Sequence, residues 1–318
     1  MQLSRRTFLT GFTAAAAVPG LFADPQPRLD PNLTVLLSDI HVNGLDGGDK
    51  YPRGKLARVI NDILAMAPLP AHAILFGDIA WLHGRREDYL ASAPEFKRLS
   101  DAGIKITWGM GNHDRRSTFL EVHPDCAQAT KIPGRLVTVT EAGPIDFIML
   151  DGLQGTDDRG LTDMGPGNGK LCKDQQDWLL AELPKWKKPV FVCSHFPVGE
   201  LSVGNQKLAR FLHACPAVAG YLHGHDHRWY KNLPIESWSS PHVLRTLCLP
   251  STGYWGDIGY VTLRVAGDRA VAALHEYEYY FPKPKEELKQ LREEDEQLWK
   301  AICDENRLAT CTFHLPRP

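Results

Sequence analysis

The sequence has no Cys-x-x-Cys pair. Its seven cysteines are scattered and odd in number, which argues against both a zinc ribbon and a dense disulfide framework. Cys303 and Cys311 could pair in an oxidising compartment. A basic excess is missing too: 36 Lys and Arg stand against 38 Asp and Glu, for a formal net charge of −2. With nothing to neutralise a phosphate backbone, no nucleic-acid partner is expected. The apolar run near the N-terminus, Gly11 to Ala17, is too short and alanine-rich for a bilayer span, which needs about 20 residues. No internal repeat or low-complexity linker divides the chain. What is there is ordinary: 318 residues, 43% hydrophobic and 23% charged, enough for one large domain with an ample core. Function must therefore be read from sites.

The first residues stand apart. Ser4-Arg5-Arg6-Thr7-Phe8-Leu9 joins an arginine pair to an apolar pair, and a small-residue region ends near Ala23. This resembles a bacterial twin-arginine export signal. The resemblance implies dealings with the twin-arginine translocation machinery and a periplasmic or extracellular location. Residues 1–28 are read as signal and linker, 29–280 as the catalytic domain, and 281–318 as a C-terminal helical extension carrying a charged helix over Lys285 to Ile302.

Between them the chain repeats one design, an apolar run of strand type with a metal-capable side chain at its C-terminal end. Leu33–Leu37 delivers Asp39 and His41, and Ala73–Phe76 delivers Asp78. Ile104–Trp108 runs into Gly109-Met110-Gly111-Asn112-His113-Asp114, Pro189–Cys193 into His195, and Val218–Leu222 into His223-Gly224-His225-Asp226-His227. Helical patterns over Leu56–Met66 and Arg85–Ala102 separate the first three runs, which predicts right-handed crossovers and a parallel sheet. Ligands of such sheets bind outside the carboxyl ends of the strands. Further strands are expected over 135–140 and 145–150, and helices over 173–183 and 208–213. Closing strands over 243–249, 260–265 and 270–275 predict a second sheet packed on the first, and the tail past 302 is uninformative.

Asp39, His41, Asp78, Asn112, His195, His225 and His227 are oxygen and nitrogen donors without a thiolate. That suits Mn, Fe, Zn or Co and does not choose among them. Seven donors exceed one ion and suit two ions that share a bridging carboxylate. His223 is read as structural or as support behind the ligands. Arg115 and Arg116 read as solvated arginines, with contact to substrate phosphate the alternative. Tyr254 and Trp255 read either as core packing or as pocket lining.

The ordered set Asp39-x-His41, Gly77-Asp78, Gly111-Asn112-His113-Asp114, His195 and Gly224-His225-x-His227 resembles the calcineurin-like metallophosphoesterases over residues 33 to 265. Within them it is most like the class III cyclic-nucleotide phosphodiesterases and related glycerophosphodiesterases. Purple acid phosphatases fit less well, because Trp81 stands where they carry a tyrosine. The resemblance implies an α/β fold of two packed mixed β-sheets flanked by helices, an α/β/β/α sandwich. It also implies two divalent or trivalent ions about 3.5–4 Å apart. Asp39, His41, Asp78 and His227 would bind one, and Asp78, Asn112, His195 and His225 the other. A bridging hydroxide would attack a small phosphodiester or phosphomonoester in line. His113 would bond the phosphate or protonate the leaving oxygen, with Asp114 orienting it. The runner-up is a non-catalytic scaffold on the same fold that binds a partner protein.

Overall fold

The computed structural model describes residues 28–45, 53–153, 169–229, 244–254, 256–278 and 309–316. The export-signal stretch, Trp255, Cys303 and the helix expected over 285–302 lie outside the described residues.

Strands β1 (Leu29–Leu37), β2 (Leu69–Leu75) and β3 (Lys105–Trp108) pair in parallel, joined through helices α1 (Arg53–Leu64) and α2 (Arg86–Asp101). The C-terminal halves of β1 and β2 are buried on both faces, whereas β3, at the sheet edge, leaves Lys105 exposed. Val35, Leu37, Ala73 and Leu75 face the helices, while Leu36 and Ile74 face a second sheet. After α3 (Arg116–Val122), the hairpin of β4 (Thr138–Ala142) and β5 (Ile145–Met149) begins that second sheet. Helix α4 (Lys173–Glu182) leads to β6 (Val190–Cys193), and a small hairpin of β7 (Ser202–Val203) and β8 (Gln206–Lys207) leads to α5 (Leu208–His213). Strands β9 (Val218–His223) and β10 (Thr246–Cys248) follow, then β11 (Ile258–Ala266), β12 (Arg269–Glu278) and β13 (Thr310–His314).

The two large sheets run β13-β12-β11-β1-β2-β3 and β10-β9-β6-β5-β4, and both are mixed. Phe147, Phe191, Leu222, Val261 and Phe313 fill the space between them. Ile148, Val192 and Tyr221 on the far face of the second sheet pack with Leu179 of α4 and Leu208 of α5. The result is the expected α/β/β/α sandwich.

Two expectations are corrected. The closing strands do not build the second sheet together. Strand β11 pairs antiparallel with β1 and β12 antiparallel with β11, so both extend the first sheet, and only β10 joins the second. The tail is also informative: β13 pairs with β12 as an edge strand, and its Phe313 and Cys311 are buried in the inter-sheet core.

Candidate metal centre

The C-terminal ends of β1, β2, β3, β6 and β9 open onto one edge of the sandwich, and their loops are stitched to one another. The amides of Ile40 and His41 donate to the Asp78 carbonyl at 2.8 Å, and Gly224 N donates to the His195 carbonyl at 3.1 Å. Among the described residues, five non-glycine positions have positive φ: Asp39, His41, Asp78, His225 and His227. All five are candidate ligands. Left-handed backbone costs an L-residue about 1–2 kcal/mol, and such outliers gather where function demands a particular side-chain direction. Glycine supplies the room around them. A Cβ on Gly111 would lie 2.2 Å from Asp78 Oδ1, and one on Gly224 would lie 2.6 Å from Asp39 Oδ2.

The side chains meet in two groups that share one carboxylate. Ligand atoms of Asp39, His41, Asp78 and His227 all lie within 4.8 Å of one another, and so do those of Asp78, His195 and His225. In the first group His227 Nε2 is 3.0 Å from Asp39 Oδ1 and 3.3 Å from His41 Nε2. In the second, His195 Nε2 is 3.2 Å from Asp78 Oδ2 and 3.2 Å from His225 Nδ1. Asn112 Oδ1 faces both of those imidazoles, at 2.9 and 2.8 Å. Backbone carbonyls clamp the rings from behind: Trp81 O takes His41 Nδ1 at 3.1 Å, and Phe76 O takes His195 Nδ1 at 2.9 Å. A donor on Nδ1 leaves Nε2 with its lone pair turned inward, as metal-ligating histidines require.

The charge balance asks for a cation. The buried carboxylates of Asp39 and Asp78 sit well below their usual range, because neighbouring imidazoles outweigh the opposing effect of burial. Burial brings His41 down to about 4, so its ring is neutral. Burial also opposes charge on His195, but Asp78 and then Asp39 outweigh it and raise that imidazole to about 9. A proton there occupies the place a metal ion would take. Paired imidazole nitrogens, buried carboxylates and an amide oxygen fit hard or borderline divalent ions.

His113 stands at the rim, half-buried, its ring 4.9 Å from that of His41. Its Nδ1 donates to the Leu82 carbonyl at 3.2 Å, and its backbone N–H donates to Asp78 Oδ1 at 2.7 Å. Asp114 does not orient it, which corrects the expected role. One Asp114 oxygen accepts from the amides of Ile79 and Ala80 and from the Tyr89 hydroxyl, and the other accepts from Gly111 N. Asp114 therefore ties the loop after β2 to the loop after β3. Arg116 is no surface residue either. It is 2% exposed and grips Asp151 through two bonds of 2.6 and 2.7 Å.

Sequence reasoning saw only part of the wall beside His41. Trp81 and Tyr254 meet edge to face at 4.5 Å, and Tyr254 lies 5.4 Å from the His41 ring. Both are half-buried. Tyr254 was read as either core packing or pocket lining, and Trp81 stood out only by its position three residues after Asp78. A cavity of about 940 Å³ opens elsewhere, between α2, β3 and β4, lined by Pro94, Trp108 and His123, and contains none of these ligands.

A family model for calcineurin-like phosphoesterases matches residues 33–229, more than half of the chain. The chain belongs to that family. A dimetal phosphatase of Danio rerio is 17% identical with a TM-score of 0.58, the match covering 77% of this chain and 96% of that one. TT1561 of Thermus thermophilus is 14% identical, at a TM-score of 0.43 and coverages of 72% and 93%. Vps29 of Chaetomium thermophilum is 12% identical, at a TM-score of 0.34 and coverages of 77% and 87%. No curated protein matches. At 17% identity the dimetal phosphatase speaks to the fold alone. The family match spans every candidate ligand from Asp39 to His227.

Proposed function

We propose that this calcineurin-like phosphoesterase hydrolyses a small phosphodiester or phosphomonoester with the help of two metal ions. One observation carries the reading: two buried ligand groups share Asp78, and the five ligands with left-handed backbone all belong to them. Asp39, His41, Asp78 and His227 would hold one ion; Asp78, Asn112, His195 and His225 would hold the other. When bound, such a pair supplies Lewis acidity toward a phosphoryl oxygen and makes water acidic enough to attack phosphorus.

The remaining work falls to the chain. His113, its Nδ1 proton held by the Leu82 carbonyl, presents Nε2 at the rim. A protonated Nε2 there would donate to the leaving oxygen as the P–O bond breaks. Asp114 holds the Gly111 turn that carries Asn112 and His113. Trp81 and Tyr254, packed edge to face, would wall one side of the centre.

The test is a substrate panel of bis-p-nitrophenyl phosphate, p-nitrophenyl phosphate, cyclic nucleotides and glycerophosphodiesters, run with Mn, Zn, Fe and Co and after chelation. Turnover that chelation abolishes and metal restores is the expected result. Turnover that survives complete chelation would overturn the reading. A fully metal-loaded chain inert on the whole panel would favour the scaffold.

A further inference from the structure

The loop that carries His225 and His227 has a second cluster beside it that the phosphoesterase reading leaves unused. Strand β9 ends at His223 and β10 at Cys248, and the parallel register sets these two residues side by side. Neighbours in register project to the same face of a sheet. The turn after β9 then brings back Asp226. One ring nitrogen of His223, a carboxylate oxygen of Asp226 and the Cys248 sulfur all lie within 4.8 Å of one another. His223 is 7% exposed and Cys248 2%, while Asp226 is half-buried and leaves the cluster a side open to solvent.

As a donor the sulfur makes only weak bonds. The Gly224 carbonyl accepts His223 Nδ1 at 2.9 Å and Asp226 N at 2.9 Å. Those two donors fill its two lone pairs. The Cys248 thiol has carbonyl acceptors at 3.6 Å in Gly224 and in Leu249, ordinary distances for a weak S–H donor, and the backbone N–H groups of Arg228 and Asp226 face the sulfur and would bond a thiolate. Little hydrogen bonding is therefore lost when the sulfur turns to an ion. A buried histidine, a buried thiol and a reachable carboxylate make a donor set unlike the sulfur-free one around Asp78.

We propose that His223, Asp226 and Cys248 form a third cation site, for a borderline-soft divalent ion such as Zn²⁺ or Co²⁺. As the ion enters, a metal–sulfur bond forms and the Cys248 S–H bond breaks, its proton leaving to solvent. Three protein ligands with a water in fourth place make an ordinary tetrahedral zinc arrangement. Bonds of about 2.0–2.3 Å set ligand atoms about 3.3–3.8 Å apart, so a cluster already within 4.8 Å closes by no more than about 1.5 Å on binding. The ion would tie the ends of β9 and β10 together beneath the turn that presents His225 and His227. It would thus stiffen the proposed centre without touching substrate.

Cobalt loading of the full chain tests the site independently of any turnover. The ligands grouped around Asp78 contain no sulfur, so a thiolate-to-cobalt charge-transfer band in the near ultraviolet reports only a cysteine site. The expected result is such a band saturating at one equivalent, lost in Cys248→Ser and kept in Cys126→Ser. Elemental analysis should find one metal equivalent fewer in Cys248→Ser and in His223→Gln. In Asp78→Asn the band should remain while the other ions are lost, so failure of the phosphoesterase reading would leave this test intact. No band in the native chain, or a band that persists in Cys248→Ser, would overturn the site. Circular dichroism of both variants checks folding, and His223→Gln preserves the thiol should Cys248→Ser misfold.

Discussion

A histidine that delivers a proton must keep one nitrogen occupied and the other free, and His113 is built that way. Its Nδ1 faces the Leu82 carbonyl, and its link to the metal ligands runs through the backbone, from its own N–H to Asp78 Oδ1. Alanine at 113 keeps that N–H. His113→Ala should therefore lower turnover by about 10²–10⁴-fold, the usual worth of a general acid, while elemental analysis still finds the metals. Loss of metal together with activity would make His113 a ligand instead. The residues that the structure gathers as candidate ligands were legible, since each of the seven follows an apolar run of strand type. Their orienting partners were not. The carbonyls of Trp81, Phe76 and Leu82 belong to the backbone, and nothing in a side-chain pattern marks a carbonyl. Asp114 misled for a related reason. Its four donors come from the loop after β2, from α2 and from its own turn, and adjacency to His113 counted for nothing.

At the scale of elements, α3 is pinned to the second sheet by a single buried ion pair. Arg116 begins α3 and Asp151 follows β5, and neither is more than 2% exposed. Arg116 also donates to the Leu153 carbonyl at 2.6 Å, while Asp151 accepts from the amides of Leu136 and Leu153. Removing one partner leaves a charge buried without compensation, which costs about 3–5 kcal/mol. Arg116→Met should lower stability by that amount in urea unfolding. Arg116→Met with Asp151→Leu should recover only part of it, because two amides then lose their acceptor. Full recovery would mean that the bonds to backbone contribute little. An arginine beside a glycine-rich turn reads as solvated because its partner lies 35 residues away, and sequence spacing does not carry such a pairing. Strand β13 was hidden differently. Thr310-Cys311-Thr312-Phe313-His314 does alternate between exposed and buried positions, but five residues of alternation are a weak signal. By contrast the three parallel strands of the first sheet were plain, each an apolar-rich run set apart from the next by a helical period.

For the whole molecule, metal and pH should act as one variable. In the metal-free chain His195 is raised to about 9 from an ordinary value of 6.5, so the folded state holds a proton there that the unfolded state has lost. That contribution to stability is complete below about pH 6.5 and disappears as pH rises through about 9. His41, lowered to about 4, acts in the opposite sense: stability is lost as pH falls from about 6.5 toward 4. The metal-free chain should thus be most stable near pH 6.5. A bound cation displaces the His195 proton and takes over its role, so the loaded protein should not weaken between pH 6.5 and 9. The gap in melting temperature between loaded and chelated protein should therefore widen across that interval. Over the same range metal affinity should rise about tenfold per pH unit, the signature of one competing proton. Calorimetric titration of Cys248→Ser, which has no thiol proton to release at the third site, at pH 7 in two buffers of different ionisation enthalpy should count at least the one proton that His195 gives up. A melting gap that stays constant from pH 6.5 to 9, with no proton released, would remove His195 from the ligand set and leave Asp78 without the partner that makes its carboxylate common to both groups.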